Sequence, residues 1–451
     1  MNSKYIKAGI SVLLPALVLV LNPLSLTTVQ NLLLAAIILG IALWATELAD
    51  RTLVSVALLV IFVAAAVPSE VSLQRIFSFP LSSNFLTIVS SFLLSAGVVN
   101  SGVARKLAND FLNRFCRNLT HLVIAAGLLN ALLAAVIPQP VPRITLLGSI
   151  YYVLLSEQKV TTEQKKAVLF SVFITATTTA MILKNGDVVL NAAALSISGV
   201  DLTQTEWLRF MTIPTIAASV LLVAVYLLYQ RKHLSARLVM DPSKSESMTQ
   251  QGKITCGLMI LIVSLWMTES IHGVSQAWVS LAGVAVMFLL GILKLSDLKS
   301  VKVGLLLFLT AEFALGNVLA DSGIAAAISE ILLRRMPASD TVYLPLLLLT
   351  LSIYVLHTLF GGAMGALAVS LPIVNALWGD VLGAEVISLT ALVLVTCHYV
   401  FPYNQMTILV GYGQKYYEFR DVMRFAVVLT VLVAVMLFGL YLPWWKLTGF
   451  L

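Results

Sequence analysis

The sequence contains few charged residues. Of its 451 residues, 11% are charged and 59% are hydrophobic, and the mean hydropathy is +0.98. An ordinary soluble domain carries roughly 25% charged residues, so this chain could not cover a surface that faces water on all sides. Apolar runs near the ~20 residues that cross a bilayer recur at 30–47, 209–229, 275–293 and 425–443. The composition therefore predicts an all-α polytopic membrane protein.

Cysteine and histidine are also scarce. Cys116, Cys256 and Cys397 show no paired spacing, which argues against a disulfide framework and against a metal site. The five histidines are dispersed, and no two acidic residues share a helical face within a predicted span. Intramembrane transferases group such residues at one membrane face, so we predict that the chain is not an enzyme.

Two further absences concern energy and cofactors. The sequence contains no phosphate-binding loop motif, so ATP is not expected to be its direct energy source. No pattern of cofactor ligands occurs either, and we expect no cofactor besides Na⁺ or H⁺ as a coupling ion.

The 28 basic residues are distributed unevenly about the predicted spans. With the N-terminus in the cytoplasm, most of them fall on the cytoplasmic side, and five fall outside: Arg75, Arg209, Arg334, Arg335 and Lys446. The positive-inside rule requires this asymmetry, which makes nucleic-acid binding an unnecessary explanation for the net charge of +7. We predict a multi-pass protein of the cell inner (plasma) membrane with a cytoplasmic N-terminus and an external C-terminus.

The chain contains an internal repeat. At nearly one offset and in the same order, residues 44–47 (WATE), 92–94 (FLL) and 101–104 (SGVA) recur as 266–269 (WMTE), 313–315 (FAL) and 322–325 (SGIA). We assign 1–29 to a first span, 30–229 to the first repeat, 230–253 to a polar cytoplasmic linker and 254–451 to the second repeat.

Each repeat is predicted to hold five crossings and one broken apolar pair, at 121–155 and at 342–378. Since five is odd, the second repeat enters the membrane from the opposite face. The expected fold is thus about 11 transmembrane helices plus two re-entrant hairpins in two inverted repeats, an architecture typical of secondary transporters.

The tips of both hairpins interrupt regular helix. Prolines at 138, 140 and 142 remove backbone donors in the first, and glycines break the second. Freed backbone groups at membrane depth must be buried in protein or line a polar cavity. We predict that both tips bind substrate, through Pro138, Gln139, Pro140 and Arg143 in the first and through Gly361, Gly362, Ala363 and Met364 in the second. The Arg143 guanidinium is suited to a carboxylate or sulfate.

Two crossing helices are predicted to unwind as well. The candidate substrate-binding residues there are Thr177, Thr178, Thr179, Asn404 and Gln405. The candidate coupling or charge-carrying residues are Lys184, Asp187 and His398. Simpler interpretations stay open: the threonine hydroxyls can bond back to their own helix, Lys184 can pair with Asp187, and His398 can be a packing residue.

The chain resembles the divalent anion/sodium symporter family over most of its length. The segments that carry the resemblance are 44–47, 92–108 (FLLSAGVVNSGVARKLA), 265–273 (LWMTESIHG) and 401–412 (FPYNQMTILVGY). The resemblance implies eleven crossings, a scaffold domain and a mobile transport domain, in a homodimer. It also implies transport of dicarboxylates, citrate, sulfate or related anions, generally with sodium, by an elevator movement.

The chain departs from that family at both tips, at Lys184 and at Met406, which falls near a position where an asparagine is common in the family. Its members carry Ser-Asn-Thr at both tips, where this chain has Pro138-Gln139-Pro140 and Gly362-Ala363-Met364. Lys184 falls near where the family keeps small residues beside sodium, and an ammonium there would replace a bound cation electrostatically. We therefore expect a divergent anion transporter without conventional sodium coupling. The alternatives are a transporter of another organic or inorganic solute, a non-transporting receptor or assembly subunit, and an intramembrane transferase.

Overall fold

The computed structural model describes residues 3–46, 48–67, 71–239, 247–333, 342–360 and 362–451. Across these residues the chain is helical, and the only β pairing is an isolated bridge between Asn118 and Arg237. The prediction of an all-α protein is confirmed for this part of the chain. Four residues named above, Glu47, Arg334, Arg335 and Gly361, lie outside the described residues.

The first part of the chain, up to the polar linker, forms twelve α-helices among its described residues. They are α1 (Ser3–Leu21), α2 (Thr28–Thr46), α3 (Arg51–Ala65), α4 (Leu73–Ile76), α5 (Ser83–Asn100), α6 (Val103–Phe115), α7 (Leu119–Val136), α8 (Pro140–Ser156), α9 (Thr162–Thr179), α10 (Val188–Ile197), α11 (Gln204–Trp207) and α12 (Ile213–Tyr229). A π-helical turn, Leu208–Thr212, joins α11 to α12, and a 3₁₀ turn, Lys184–Asp187, precedes α10.

The remainder forms eleven more within the described ranges. They are α13 (Gln250–Met267), α14 (Glu269–His272), α15 (Gln276–Leu289), α16 (Val303–Asp321), α17 (Ile324–Leu333), α18 (Tyr343–Phe360), α19 (Ala363–Leu382), α20 (Ala384–Cys397), α21 (Met406–Gly413), α22 (Phe419–Met436) and α23 (Leu442–Thr448). A 3₁₀ turn, Pro402–Asn404, precedes α21, and a π-helical turn, Leu437–Tyr441, joins α22 to α23.

Six helical segments of the described chain are long and apolar enough to cross a membrane. They are α5, α7, the continuous run α11–α12, α16, α19 and the run α22–α23. Shorter apolar helices accompany them, among them most of α2, and α3, α15 and α20. These lengths and compositions agree with a multi-pass membrane protein.

Helix interruptions occur at the four places that the sequence predicts. The chain leaves helical geometry between α7 and α8, between α9 and α10, between α18 and α19, and between α20 and α21. Helix starts follow ordinary capping chemistry, as in the capping box that Thr161 and Gln164 form at α9. Pro138, Gly186, Gly362 and Pro402 lie at these four breaks, whereas Pro15 and Pro372 lie inside continuous helices.

The helices group into two compact units, and each unit draws on both predicted repeats. Unit 1 comprises the described residues of Met1–Phe85, Ala192–Asp201 and Lys302–Val395. Its core is apolar and includes Leu33, Phe62 and Leu315. At one end of α16, Arg75 donates through Nε and Nη2 to the Asp321 carboxylate, at 2.7 and 2.8 Å.

Unit 2 comprises Leu86–Asn191, Leu202–Val301 and Thr396–Leu451. Part of its core is aromatic: the rings of Phe170, Tyr226 and Phe425 contact one another edge to face. The Tyr226 hydroxyl donates to the carbonyl of Ala167 at 2.7 Å, so the phenol is satisfied despite its burial. Three of the four helix interruptions lie in this unit.

Candidate functional site

The first interruption is a buried, extended segment between α7 and α8. Helix α7 ends where Ile137 turns extended, and α8 begins with Pro140 at its first helical position, where the missing N–H costs nothing. Ile137, Pro138, Gln139 and Pro140 are all buried. The proline-rich stretch thus forms the predicted break, enclosed by protein.

The start of α8 offers fewer backbone donors than an ordinary helix. With Gln139 as the N-cap residue, the N–H groups of residues 139–142 would normally be free, but positions 140 and 142 are prolines, which leaves those of Gln139 and Val141. Gln139 precedes the helix and makes no side-chain cap, and its Nε2 has no hydrogen-bond partner in the described chain. Side chains rather than backbone amides must therefore supply most of the donors here.

Arg143 lies in the first turn of α8 and is fully buried. Its Nη1 donates to the carbonyls of Ile137 and Gly186, both at 3.2 Å. Its Nε and Nη2 are buried and have no hydrogen-bond partner among the described residues. The guanidinium therefore links the first interruption to the second by hydrogen bonds, and its Nε and Nη2 groups are unused donors.

The second interruption separates α9 from α10. Its carbonyls are freed from helical bonding and accept from protein donors instead. Asn191 Nδ2 donates to the carbonyls of Ala180 and Lys184 (3.2 and 3.0 Å), Trp207 Nε1 to that of Met181 (3.0 Å), Thr212 Oγ1 to that of Ile182 (2.7 Å) and Gly186 N to that of Leu183 (2.9 Å). Five consecutive carbonyls thus have partners without an ion. Such satisfaction is what lets a broken helix persist away from water.

Gly186 permits the close packing of this break. A Cβ atom at this position would lie 2.4 Å from the carbonyl oxygen of Ala180, a distance that real side chains do not tolerate. The amide of Val188 also reaches the carbonyl of Pro138 at 3.4 Å. The two interruptions in unit 2 are consequently held together by backbone as well as by Arg143.

The two predicted charge carriers at this break have separate environments. Lys184 Nζ donates to the carbonyl of Leu202. The Asp187 carboxylate accepts from the amide of Leu190 at 3.1 Å, at the start of α10, and attracts the Arg143 guanidinium electrostatically. Arg143 and Lys184 thus bring two positive charges to this pair of interruptions, and Asp187 brings one negative charge.

The three threonines that end α9 bond to their own helix. Thr177 donates to the carbonyl of Ile174 at 2.7 Å, and Thr179 donates to that of Thr175 at 2.8 Å. Thr178 makes a longer contact of 3.4 Å with the Thr175 carbonyl. The simpler interpretation of these hydroxyls holds in this structure, because their hydrogens are used within the helix.

The third interruption in unit 2 lies between α20 and α21. Asn404 Oδ1 accepts from the amides of Val400 and Phe401 at 3.2 and 2.8 Å, and Gln405 Nε2 donates to the carbonyl of Thr396 at 2.9 Å. His398 is buried, with Nε2 3.2 Å from the Thr430 hydroxyl. Asn404 and Gln405 thus support the loop itself.

The fourth interruption, the second predicted tip, belongs to unit 1. Gly362 is extended (φ −168°) and starts α19 without a side-chain cap. Ala363 is buried and Met364 is half-buried, and neither offers a polar side chain. In unit 2 the first tip contacts the second interruption through hydrogen bonds. That all four interruptions enclose one substrate stays a prediction.

One residue of potential importance was missed in the sequence. Glu312 lies in the middle of α16, is fully buried, and has no hydrogen-bond partner at either carboxylate oxygen within the described chain. The available signal was an acidic residue flanked on both sides by apolar sequence, which is costly in a membrane span. A search for pairs of acids overlooked it because it is isolated.

Two comparisons with known proteins bear on the identity of the chain. A search of curated proteins finds no match. The family model described as the sodium:sulfate symporter transmembrane region matches residues 2–451, nearly the whole chain. That family comprises secondary transporters of anions rather than enzymes, which confirms the resemblance and the predicted class of function. The chain belongs to the sodium:sulfate symporter family of multi-pass membrane proteins.

Proposed function

We propose that this chain carries a small anion of the di- or tricarboxylate or sulfate class by elevator-type alternating access. The observation that carries the proposal is the set of unused donors at the start of α8: Gln139 Nε2 and Arg143 Nε and Nη2. Buried donors without acceptors are rare in proteins and call for a specific partner. An anion supplies acceptors and offsets the net positive charge that Arg143, Lys184 and Asp187 bring to the two interruptions.

The coupling we propose is not conventional sodium symport. Five consecutive carbonyls at the second interruption already accept hydrogen bonds from protein donors. The partially positive hydrogens of those donors lie beside the carbonyl oxygens and repel a bound cation. Lys184 adds a fixed positive charge at the same break. A proton gradient or exchange of anions is the energy source that fits these groups.

The proposed architecture follows the same reasoning. We infer that 121–155 and 342–378 are re-entrant hairpins within two inverted repeats, with about 11 crossings in all. The N-terminus would be cytoplasmic and the C-terminus external in the cell inner membrane, as the distribution of basic residues favours. A homodimer is the assembly that the family resemblance implies.

The first test is uptake into proteoliposomes of labelled succinate, citrate, sulfate and taurine, with and without sodium and proton gradients. We expect saturable uptake of one anion that does not require a sodium gradient. Strict dependence on sodium would contradict the proposed coupling, and so would a Lys184→Ala variant with unchanged transport and ion dependence. Uptake of taurine alone would show that the substrate belongs to a different class from the proposed carboxylates and sulfate.

The site itself is tested by Gln139→Glu, which keeps the size of the side chain and adds a negative charge. We expect this variant to fold normally, as judged by gel filtration and thermal unfolding, and to lose uptake through repulsion of the anion. Gln414→Glu is the matched control, because Gln414 is exposed in the same unit. Normal uptake by Gln139→Glu would exclude the start of α8 from the substrate site.

A further inference from the structure

The strongest unassigned feature of the molecule is the isolated carboxyl of Glu312. Helix α16 runs from Val303 to Asp321, and Glu312 is its central residue, about 14 Å from either end at 1.5 Å per residue. The side chain is fully buried, and neither oxygen has a hydrogen-bond partner in the described residues. An ionised carboxylate in this position would be an uncompensated charge in a low-dielectric interior.

Helix α16 packs mainly on α3, α4, α17 and α19, and Trp44 of α2 and Ile197 of α10 also lie against it. Their charged residues are Arg51 on α3, Arg75 on α4, Glu330 on α17 and Asp380 on α19. Arg75 forms an ion pair with Asp321, and Arg51 interacts electrostatically with Glu312. Arg51 lies near the level of Gly304, since the neighbouring Thr52 side chain approaches that glycine. The two backbone positions thus differ by about 12 Å along the axis, and neither Glu312 oxygen has a hydrogen-bond partner among the described residues.

A cavity with a mixed polar and apolar lining lies along the same face of α16. Residues 312, 316 and 320 follow one another at helical spacing, so their side chains share a face. Ala320 lines a cavity of about 330 Å³ in unit 1. A side chain at Gly316 would meet Ile197 and Pro372, which line that cavity too. One layer of residues therefore separates Glu312 from the cavity.

The cavity is suited to water. Its polar lining residues are Arg75, Ser196, Ser198, Asn317 and Asn375. Ser198 Oγ and Asn375 Oδ1 have no hydrogen-bond partner within the described chain. Its volume is several times the ~30 Å³ that one water molecule occupies in the liquid. Water in a space of this size, held by the polar groups in its wall, can deliver and remove protons.

The backbone of α19 favours a neutral carboxyl on this face. Pro372 lacks an N–H, so the carbonyl of Ala368 loses its helical donor. That oxygen would lie 3.8 Å from a Cβ at Gly316, one turn from Glu312. A carbonyl oxygen accepts from a protonated carboxyl and repels a carboxylate.

We propose that Glu312 is a proton-binding site: it is protonated in this structure and exchanges its proton with water in the cavity above Gly316. The exchange converts the carboxylic acid to a carboxylate and transfers the proton to water. Proton exchange requires the packing of Gly316 against Ile197 and Pro372 to open, so that water reaches the carboxyl. The use of this proton to drive transport rests on the proposed function, whereas the protonation does not.

Protonation is tested on the purified protein in lipid nanodiscs by infrared difference spectroscopy. We expect a carboxylic-acid carbonyl band near neutral pH that shifts in D₂O and disappears in Glu312→Gln. The matched control is Glu385→Gln, since Glu385 is exposed in the same unit and its replacement should retain the band. A spectrum in which Glu312→Gln equals the wild type would overturn the proposal.

Coupling is tested separately by uptake in proteoliposomes under an inward proton gradient. We expect Glu312→Gln to lose stimulation by the gradient while it retains exchange of internal for external anion, and Glu385→Gln to behave as the wild type. Full stimulation in Glu312→Gln would overturn the coupling role. If no anion is taken up by the wild type, the proposed function fails, and the infrared band still decides whether Glu312 binds a proton.

Discussion

The two units place ionisable groups among apolar helices in contrasting ways. In unit 2, Arg143, Lys184 and Asp187 lie at interruptions, where backbone carbonyls or amides bond to all three. In unit 1, Glu312 lies in the middle of an uninterrupted helix, where every nearby backbone group of α16 is used within the helix.

The difference shows what a broken helix provides. Unwinding exposes carbonyls and amides that solvate a charge in place of water, so a cation remains charged at low cost. An intact helix offers no such groups, and a lone acid within it becomes neutral instead. Charge in unit 2 is therefore suited to binding an ion, and the acid in unit 1 is suited to binding a proton.

The largest expected effect comes from removing the buried guanidinium of Arg143 in unit 2. Arg143→Met leaves the carbonyls of Ile137 and Gly186 without their donor and Asp187 without its opposite charge. We expect a loss of about 3 kcal/mol in the free energy of unfolding, measured by thermal unfolding in detergent. Arg420→Met, at an exposed site, should change it by less than about 0.5 kcal/mol. Equal losses of unfolding free energy in Arg143→Met and Arg420→Met would contradict the stabilising role of the buried cation in unit 2.

Next in size is the effect of Gly186→Ala on the second interruption. The added Cβ would collide with the Ala180 carbonyl oxygen, and we expect a destabilisation of about 2 kcal/mol together with reduced uptake. Gly257→Ala is the control, because nothing lies within 4 Å of a Cβ there. That substitution in a helix should be neutral or stabilising by up to about 1 kcal/mol. A stable Gly186→Ala would mean that the break can open freely.

A somewhat smaller loss is expected for Asn191→Leu. Its Nδ2 contacts the carbonyls of Ala180, Leu183 and Lys184, at 3.2, 3.4 and 3.0 Å. Their desolvation without a donor should cost about 1–2 kcal/mol, measured by the same unfolding assay. If the broken backbone is already satisfied by other groups, the variant will be as stable as the wild type, and the solvation argument for unit 2 will be wrong.

Glu312→Gln should change stability less than any of these. Because the carboxyl is neutral in our interpretation, exchange for an amide of the same shape should cost under about 1 kcal/mol in unfolding free energy. A loss as large as that of Arg143→Met would instead indicate an ionised carboxylate with a partner. This result would remove the contrast between the units.

The smallest effect concerns an ion pair at the edge of unit 2, outside the apolar spans. Lys166 Nζ lies 2.5 Å from Glu418 Oε1, which lowers the pKa of the Glu418 carboxyl and raises that of the Lys166 amine. The pair stabilises the fold above the usual pKa of a glutamate, about 4.3, and loses this as pH falls through the lowered value. At the alkaline end the contribution persists to the usual pKa of a lysine, about 10.4, and disappears as pH rises through the raised value.

The measurement is the melting temperature of Glu418→Gln against the wild type at several pH values. A small difference near neutral pH, abolished by acid and weakened by salt, is expected because water screens this pair. A difference that persists in acid would show that the pair is not its cause.

The sequence predicted the positions of the breaks because proline and glycine act locally. Prolines at 138, 140 and 142 prevent α7 and α8 from forming one continuous helix, since a helix tolerates proline only in its first turn. The structure accordingly ends α7 at Val136 and starts α8 at Pro140. The anion-binding role of Arg143 remains a prediction. Its carbonyl partners at 137 and 186 could not be read from the sequence, because they depend on how two distant turns pack.

The polar side chains were harder to interpret than the breaks. Thr177 and Thr179 have the composition of a binding site, yet their hydroxyls bond within α9. Trp207 and Thr212 showed no sequence signal and nevertheless satisfy two carbonyls of the second interruption. Hydrogen-bond partners of this kind arise from tertiary packing, which a single sequence does not specify.

The central position of Glu312 also affects how the protein is made. A charged residue at the centre of a helix adds about 3 kcal/mol to the free energy of insertion by the translocon, whereas each Leu, Ile, Phe or Val contributes about −0.3 to −0.6 kcal/mol. Helix α16 is rich in leucine on both sides of the acid, enough to offset that penalty. It can therefore enter the lipid by itself during synthesis, before α3 and α19 close around the carboxyl.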